Sequence, residues 1–283
     1  MRPTAPGAHD LRVREFSFGQ EDFDAVRDLV KAHTGIHLSE QKRELVYGRL
    51  SRRLRALGLR TFREYREVLR SKGSDELKEF CNAITTNLTS FFRESHHFDF
   101  VRHVVRMTSA GSGTGRIRFW CAGCSTGEEP YSLAMTIHAA LGDLQHRDIR
   151  ILATDLDTDV LAKAQRGVYA EDRLRGVSKT LRSKFFQARN DGSNTYAIAE
   201  RLRSMITFKE LNLIRHLPMK GPFDAIFCRN VVIYFDKDTQ HELFAHMARL
   251  QKPGGLLFLG HSEGLFRVSE AYSLVGKTIY RRN

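Results

Sequence analysis

The stretch from Arg116 to Ala140 limits the possible folds of this chain more than any other. A short β-favouring run (Ile117, Phe119, Trp120) leads into small residues with Gly123 and Gly127. Glu128-Glu129-Pro130 then opens an apolar helix. Strand, glycine loop and helix in this order form the ligand-binding unit of α/β proteins, because small residues let the backbone approach a ligand and the helix start offers free N–H groups. Here two carboxylates stand where a phosphate loop presents bare amides or a Lys. The Walker pattern G-x-x-x-x-G-K-[ST] is absent, which disfavours a nucleotide hydrolase.

A ligand suited to this loop is neutral or cationic near the helix start, as is the amino-acid and sulfonium end of S-adenosylmethionine. Ile149 to Thr154 reads as a second apolar strand that ends in Asp155-Leu156-Asp157. An acidic residue at the carboxyl end of that strand can accept hydrogen bonds from ribose hydroxyls. Asp155 follows Gly127 by 28 residues, somewhat more than the roughly 20 of dinucleotide folds. Thr158 to Arg166 reads as a helix, Phe223 to about Asn230 as a buried strand, Lys237 to Leu250 as a helix, and Leu256 to Gly260 as a strand after the turn Lys252-Pro-Gly-Gly255. Alternating strands and helices give a mostly parallel sheet with ligand loops at the carboxyl ends. Between Gly167 and Ser204 the rhythm breaks. A helical piece near Thr180 to Phe186, strand-like runs at Thr195 to Ala199 and Leu202 to Ile206, and the turn Asn190 to Asn194 predict a small antiparallel insertion whose edge can receive a peptide strand.

Ahead of this lies a helical module. Phe23, Val26, Leu29 and Val30 recur at helical spacing up to Gly35, and Ser39, Thr61 and Ser74 are candidate caps for helices over 40–57, 62–69 and 75–84. Ten Lys or Arg residues between Lys42 and Arg70 face three acidic ones, so the second helix is the expected docking face for an acidic partner. Residues 1–16 read as a flexible tail, and 109–115 as a flexible loop. The segment Thr85 to Glu94 interleaves five hydroxyl or amide side chains with Leu88, Phe91 and Phe92, a pattern that can hydrogen-bond a ligand while aromatic anchors hold it.

A chain of 283 residues accommodates one substantial core and a smaller domain. No apolar run approaches the roughly 20 residues of a membrane span, and the first ten residues lack the apolar core of a signal peptide, so a cytoplasmic location is expected. Net charge +12 implies an acidic partner without choosing among nucleic acid, lipid and protein. Cys121 and Cys124 form a C-x-x-C without a second pair at zinc-ribbon spacing, so no metal is expected.

Taken together, Thr85 to Glu94, Ser125 to Ser132, Phe223 to Val231, Ile233-Tyr-Phe235 and Gly260-His-Ser-Glu263 resemble the chemotaxis receptor methyltransferases, the CheR family. The likeness runs from about Phe18 to Tyr280 and includes Arg49 to Gly58. It implies a class I, Rossmann-like methyltransferase domain over 96–283, with a β-subdomain at about 167–205. An all-α receptor-docking domain over 17–84 and a cofactor-contacting linker over 85–95 precede it. It further implies transfer of a methyl group from S-adenosylmethionine to chemoreceptor glutamates, giving methyl esters and S-adenosylhomocysteine.

Carried over by position, the cofactor contacts are Asn87, Thr89, Arg93, Glu129, Asp155, Asn212, Leu213, Arg229 and Asn230, with Glu128 as the alternative to Glu129. Arg49, Arg93 and Tyr234 match positions tied to catalysis or substrate placement. Because a glutamate is already ionised at pH 7, no general base is required, and the enzyme must align carboxylate oxygen, methyl and sulfur while stripping water away. Arg49 or Arg93 is expected to position a carboxylate and Tyr234 to border the transfer centre. The partners implied are receptor signalling helices, met by the basic helix around Arg49 to Arg55, and a receptor C-terminal peptide at the β-subdomain. Its turn Arg189 to Asn194 departs from the Gly-x-Gly of peptide-binding members.

A monomer that neither enters the membrane nor binds nucleic acid is expected. A nucleic-acid methyltransferase is the main rival. Cys228-Arg-Asn-Val stands where base aminomethylases carry Asp/Asn-Pro-Pro-aromatic, and the Pro-Cys nucleophile is missing. An adaptor that senses S-adenosylmethionine is the non-enzymatic alternative.

Overall fold

The N-terminal helices form where apolar residues repeat every three or four positions, and each stops where the backbone turns left-handed or leaves the helical region. The computed structural model describes residues 14–71, 75–109, 115–142, 144 and 147–283. Helices α1 (Gln20–Thr34), α2 (Arg43–Leu57), α3 (Phe62–Arg70) and α4 (Glu76–Ile84) enclose a core of Phe23, Val26, Leu50, Leu54, Phe62, Tyr65 and Phe80. Gly35 and Gly58 end α1 and α2 with φ of 74° and 66°. Thr61 caps α3, its hydroxyl accepting from the Glu64 N–H at 3.1 Å while the Glu64 carboxylate accepts from the Thr61 N–H. Ser39 makes no side-chain cap, because the chain enters α2 through a 3₁₀ turn at Glu40–Lys42. Ser74 and the central part of the expected loop, 110–114, lie outside the described residues.

Of the expected tail, residues 1–13 lie outside the described residues, and Phe16 at its end is packed. Phe16 is buried edge-on against Phe62 with ring centroids 6.5 Å apart, and Glu15 pairs with Arg55 at 2.9 Å. Burial of the aromatic ring ties the backbone down there.

Helix α5 (His96–Ser109) leads into β1 (Ile117–Ala122), α6 (Glu128–Leu141), β2 (Ile149–Asp155) and α7 (Thr158–Arg166). The insertion contains β3 (Val168–Ala170), α8 (Lys179–Phe185), β4 (Phe186–Ala188), β5 (Thr195–Ile198) and the single turn α9 (Glu200–Arg203). Its three strands form an antiparallel sheet in the order β3-β5-β4. The strand-like reading of Leu202 to Ile206 is corrected by α9. Glu200-Arg-Leu-Arg203 are helix formers, and extended structure begins only at Ile206.

The main sheet then resumes with β6 (Ile206–Glu210), β7 (Phe223–Cys228), α10 (Lys237–Leu250), β8 (Gln251–Leu259), β9 (Tyr272–Gly276) and β10 (Ile279–Arg282). Strand order is β6-β2-β1-β7-β8-β10-β9, parallel from β6 to β8 and antiparallel at β10 and β9. The chain builds outward from β1 to β2 and β6 and then returns to place β7 on the other side of β1. That reversal opens a crevice above the carboxyl ends of β1 and β7. The expected turn at Lys252–Gly255 is a bulge inside β8, where the pairing skips from Phe223↔Gln251 to Ala225↔Leu256.

The helical domain is fastened over this crevice. Ile36 bridges Phe235, and the His37 N–H donates to the Tyr234 carbonyl at 2.7 Å. Lys31 pairs with Asp236 at 2.8 Å, and Asn82 donates to Thr158 Oγ1 at 3.1 Å. Among the described residues no helix is long and apolar enough to cross a membrane.

Candidate active site

Strand β1 ends at Ala122, and the turn that follows needs glycine. Gly123 has φ of 81°, and a Cβ there would lie 2.4 Å from Val231 Cγ2. The chain then enters α6 so that its two leading carboxylates point in different directions. Glu128 is fully buried, takes the Thr126 hydroxyl at 2.6 Å and pairs with Arg173 of the insertion. Glu129 faces the crevice, where Arg229 Nη1 donates to its Oε2 at 3.0 Å.

The crevice is a cleft open to solvent. Asn87, Thr89, Arg93, Glu129, Asp155, Asn212, Leu213, Arg229 and Asn230 all line it, and so does Tyr234. Arg49 does not. Its guanidinium donates to the carbonyls of Ile84 and Thr85, the latter at 2.8 Å, and to Thr86 Oγ1 at 3.1 Å. It therefore pins the start of the linker that forms one bank of the cleft. Burial lowers the Arg49 pKa, and the Tyr234 phenol opposes that shift.

Several of these side chains are already engaged. Asn87 Nδ2 donates to Asp157 Oδ2 at 2.7 Å, and its carbonyl accepts from the Ser125 hydroxyl at 2.9 Å. Asn212 Nδ2 donates to the His33 carbonyl at 2.7 Å, which commits that side chain to the domain joint. Arg93 holds the Leu88 carbonyl at 2.9 Å. Asp155 accepts the Ser125 N–H at 2.7 Å and the Asp157 N–H at 3.0 Å, one on each oxygen, so each oxygen keeps a lone pair for a ligand hydroxyl. Burial pushes its carboxyl up to about 6 despite those bonds.

Arg229 is the electrostatic centre. Its side chain is almost wholly buried between Glu129 and Glu94, with Nη2 3.4 Å from Glu94 Oε2, and it stacks 5.7 Å from the Phe98 ring centre. Burial raises the Glu129 carboxyl, against the pull of Arg229. At Glu94 burial also pushes upward, but Arg229 and His261 outweigh it and hold the carboxyl below its usual value. Even so, Arg229 Nε and Glu94 Oε2 have no hydrogen-bond partner.

Glu94, His96 and His97 bring metal-type donors within 4.8 Å of one another. Arg229 already supplies a cation to Glu94, and burial with Arg229 nearby drives the His97 imidazole down to about 3, so His97 is neutral. Cys121, Cys124 and Cys228 are buried free thiols whose pKa burial raises, so they are protonated packing residues.

Sequence reasoning assigned no role to Glu263, Glu94 or Arg173. Glu263 is buried and accepts four N–H groups, those of Asn230, Val231, Ile233 and Gly260, at 2.6 to 3.2 Å. It therefore shapes the turn after β7, where Asn230 adopts φ of 59°. The Gly260-His-Ser-Glu263 motif carried that signal in the sequence, although its acceptor role needs the fold. Arg173 Nη2 also donates to the Thr89 carbonyl at 3.0 Å, which joins the insertion to the linker.

The cleft is lined by residues of the helical domain, the linker and the main sheet. Its unpartnered buried Arg229 Nε, the lone pairs of Asp155 and the Glu129 carboxylate fit a ligand with a zwitterionic end and a diol. A parallel sheet with these groups above its switch point is that of an S-adenosylmethionine-dependent methyltransferase. The description "CheR methyltransferase, SAM binding domain" matches residues 87–281, and "CheR methyltransferase, all-alpha domain" matches 21–85. The chain belongs to the CheR methyltransferase family.

It is 44% identical to a Pseudomonas aeruginosa protein named chemotaxis protein methyltransferase 2, over 98% of this chain and 99% of that one. It is 42% identical to the Escherichia coli chemotaxis protein methyltransferase, over 91% of this chain and 89% of that one. A Rhizobium etli protein named probable chemotaxis protein methyltransferase is 42% identical over 89% of this chain and 96% of its own length.

Proposed function

We propose that this enzyme transfers the methyl group of S-adenosylmethionine to glutamate side chains in the signalling helices of chemoreceptors and forms methyl esters there. The supporting observation is the chemical make-up of the cleft. Among its described lining residues there is no His, Lys or Cys to act as a base, and its two carboxylates are engaged by Arg229 and by backbone N–H groups. A site of this kind suits a nucleophile that arrives already deprotonated, as a glutamate does at pH 7.

When bound, the cofactor supplies an electrophilic methyl group. Glu129, steadied by Arg229, accepts its ammonium end, and the free lone pairs of Asp155 accept the ribose hydroxyls. Asn87, Thr89, Asn230 and the backbone at Asn212 and Leu213 complete the cradle. Arg93, at the open bank, attracts and orients a carboxylate. Tyr234 borders the transfer centre, and its backbone is fixed by the His37 N–H. Arg49 is a positioning residue that acts through Thr85 and Thr86.

The receptor helix docks along α2. Arg53, Arg55, Arg63 and Arg66 already pair with carboxylates, and Arg43 and Arg49 are hydrogen-bonded to Phe18 and Gln20 and to the linker, which leaves Lys42, Arg52, Arg60 and Arg70 as the cations available to it among the described residues of 42–70. The β3-β5-β4 sheet has two outer strands to which a receptor C-terminal peptide can add. We take the enzyme to act as a cytoplasmic monomer, apart from nucleic acid and outside the membrane.

The decisive experiment incubates the purified chain with tritiated S-adenosylmethionine and chemoreceptor signalling fragments. Base-labile label in the receptor is the expected result. Cofactor binding without label transfer would leave a sensor, and label in RNA or DNA would leave a nucleic-acid enzyme.

A further inference from the structure

The two most exposed large apolar side chains among those described are Phe266 and Leu88, at 81% and 77%, and Ile233 is 47% exposed. Single exposed apolar residues need no explanation, but these three stand on segments that border one cleft: Leu88 lines it, Ile233 adjoins the lining residue Tyr234, and Phe266 follows Glu263, which holds the N–H groups of the lining residues Asn230 and Val231. Leu88 lines the cleft on the linker bank, where Arg93 grips its carbonyl at 2.9 Å and so fixes the backbone that presents it. Ile233 directly precedes the lining residue Tyr234 on the opposite bank, and its N–H donates to Glu263 Oε1 at 3.2 Å. Phe266 stands three residues beyond Glu263, next to the buried Leu265, on the loop leaving β8 at the same carboxyl end of the sheet. Arg267 follows with φ of 57° and its guanidinium 5.2 Å from the Phe266 ring centre.

We propose that Leu88, Ile233 and Phe266 form an apolar collar that grips the flank of the substrate helix beside the glutamate to be methylated. This rests on the glutamate-methyltransferase reading above and adds the recognition surface it needs. One argument is continuity, since the collar adjoins the cleft where transfer takes place. A second is charge. Arg93 holds the Leu88 carbonyl and Arg267 lies against the Phe266 ring, so the surface favours a helix carrying both a carboxylate and small apolar positions one turn away. A third is chemical. An ionised carboxylate attacks a sulfonium methyl faster once its water shell is removed, and three apolar side chains closing on a helix shed that water where Lys or Arg alone would retain it. The basic face of α2 then steers the receptor, and the collar sets which glutamate enters.

The test uses the full chain and a receptor signalling fragment. Because Phe266 and Ile233 are exposed, the double variant Phe266→Ser/Ile233→Ser should fold. Its KM for the fragment should rise about tenfold, the scale of losing an aromatic anchor. Affinity for S-adenosylhomocysteine, measured by calorimetry, should stay within about twofold. Leu274→Ser, on the exposed edge strand β9, is the control and should change neither. An unchanged KM in the double variant, with the wild type active, overturns the collar and leaves the enzyme reading intact. A parallel loss of cofactor affinity overturns it as well, because the residues would then be shaping the cofactor site. No methylation by the wild type removes both.

Discussion

Arg53 and Arg229 each clamp two carboxylates, yet the two clusters have different chemistry. In the helical domain Arg53 meets Glu76 through two parallel bonds of 2.9 and 2.6 Å, reaches Glu79 at 3.1 Å, and the Tyr65 hydroxyl donates to Glu76 at 2.8 Å. The pairing raises the Arg53 pKa, and burial with the Glu76 bond raises that of Tyr65. In the cleft Arg229 spans Glu129 and Glu94, but its Nε and Glu94 Oε2 make no hydrogen bond, the pair to Glu94 being held only at 3.4 Å. The first network is saturated and stabilises the helical domain. The second is buried and incompletely paired, a condition whose cost is retained only where something else completes it. Saturation thus separates an ion cluster that serves the fold from one that serves a ligand.

Arg229→Ala gives the largest expected effect. It should lower S-adenosylhomocysteine affinity by at least about a hundredfold and abolish methyl transfer, because two carboxylates then face each other uncompensated. Arg53→Ala should cost about 3 kcal/mol of unfolding free energy and leave cofactor affinity within about twofold. Calorimetry and denaturant titration of both variants check this. Normal cofactor binding by Arg229→Ala would break the comparison.

Next comes Arg173→Ala, which strands the buried Glu128 and frees Thr89. A loss of about 2 kcal/mol in stability together with roughly tenfold weaker cofactor binding is expected. Arg173→Lys, which keeps the charge, should recover part of both.

A smaller effect follows from Asp155. Its folded carboxyl is raised to about 6, so the ionised form that accepts ribose hydroxyls is lost as pH falls through that value. Affinity for S-adenosylhomocysteine should therefore drop below about pH 6, by up to about tenfold per unit. Stability moves the other way: the folded state holds this proton more tightly than the unfolded chain, so the advantage of the neutral form disappears as pH rises from the ordinary carboxylate range to about 6. Binding isotherms between pH 5 and 7.5 measure the first effect, and Asp155→Asn should flatten the curve.

The smallest effect concerns α2. With Lys42, Arg52, Arg60 and Arg70 as the uncommitted cations among the described residues of 42–70, raising salt from about 0.05 to 0.3 M should raise the receptor KM severalfold and leave cofactor binding nearly unchanged. Equal losses would argue against docking there.

The second helix shows why charge read along a chain overstates a docking face. Counting finds an excess of Arg over acidic residues between 42 and 70. Glu76, Glu79, Glu15, Glu21 and Asp22 lie outside that window, and the fold brings them back to it. The C-terminal hairpin β9–β10 leaves little trace in the sequence for a related reason. Strands of five and four residues, with Arg281 and Arg282 in one of them, give little alternation to read, and partners across the sheet hold them in place.

Local pattern alone determined the helices with their Gly35, Gly58 and Thr61 ends, the strand–loop–helix unit at β1–α6, and the motifs that mark the methyltransferase family. Each depends on residues within a turn or two of one another, so spacing carries the information. Tertiary structure decided which of two adjacent glutamates enters the cleft and that Arg49 sits behind the linker, outside the cleft lining. It also brought Arg229 to Glu129 and Glu94, 100 and 135 residues before it, in one unsaturated cluster. Those outcomes depend on which groups meet after the strand order reverses between β1 and β7, and electrostatic pairing across such distances leaves no periodic trace in the chain.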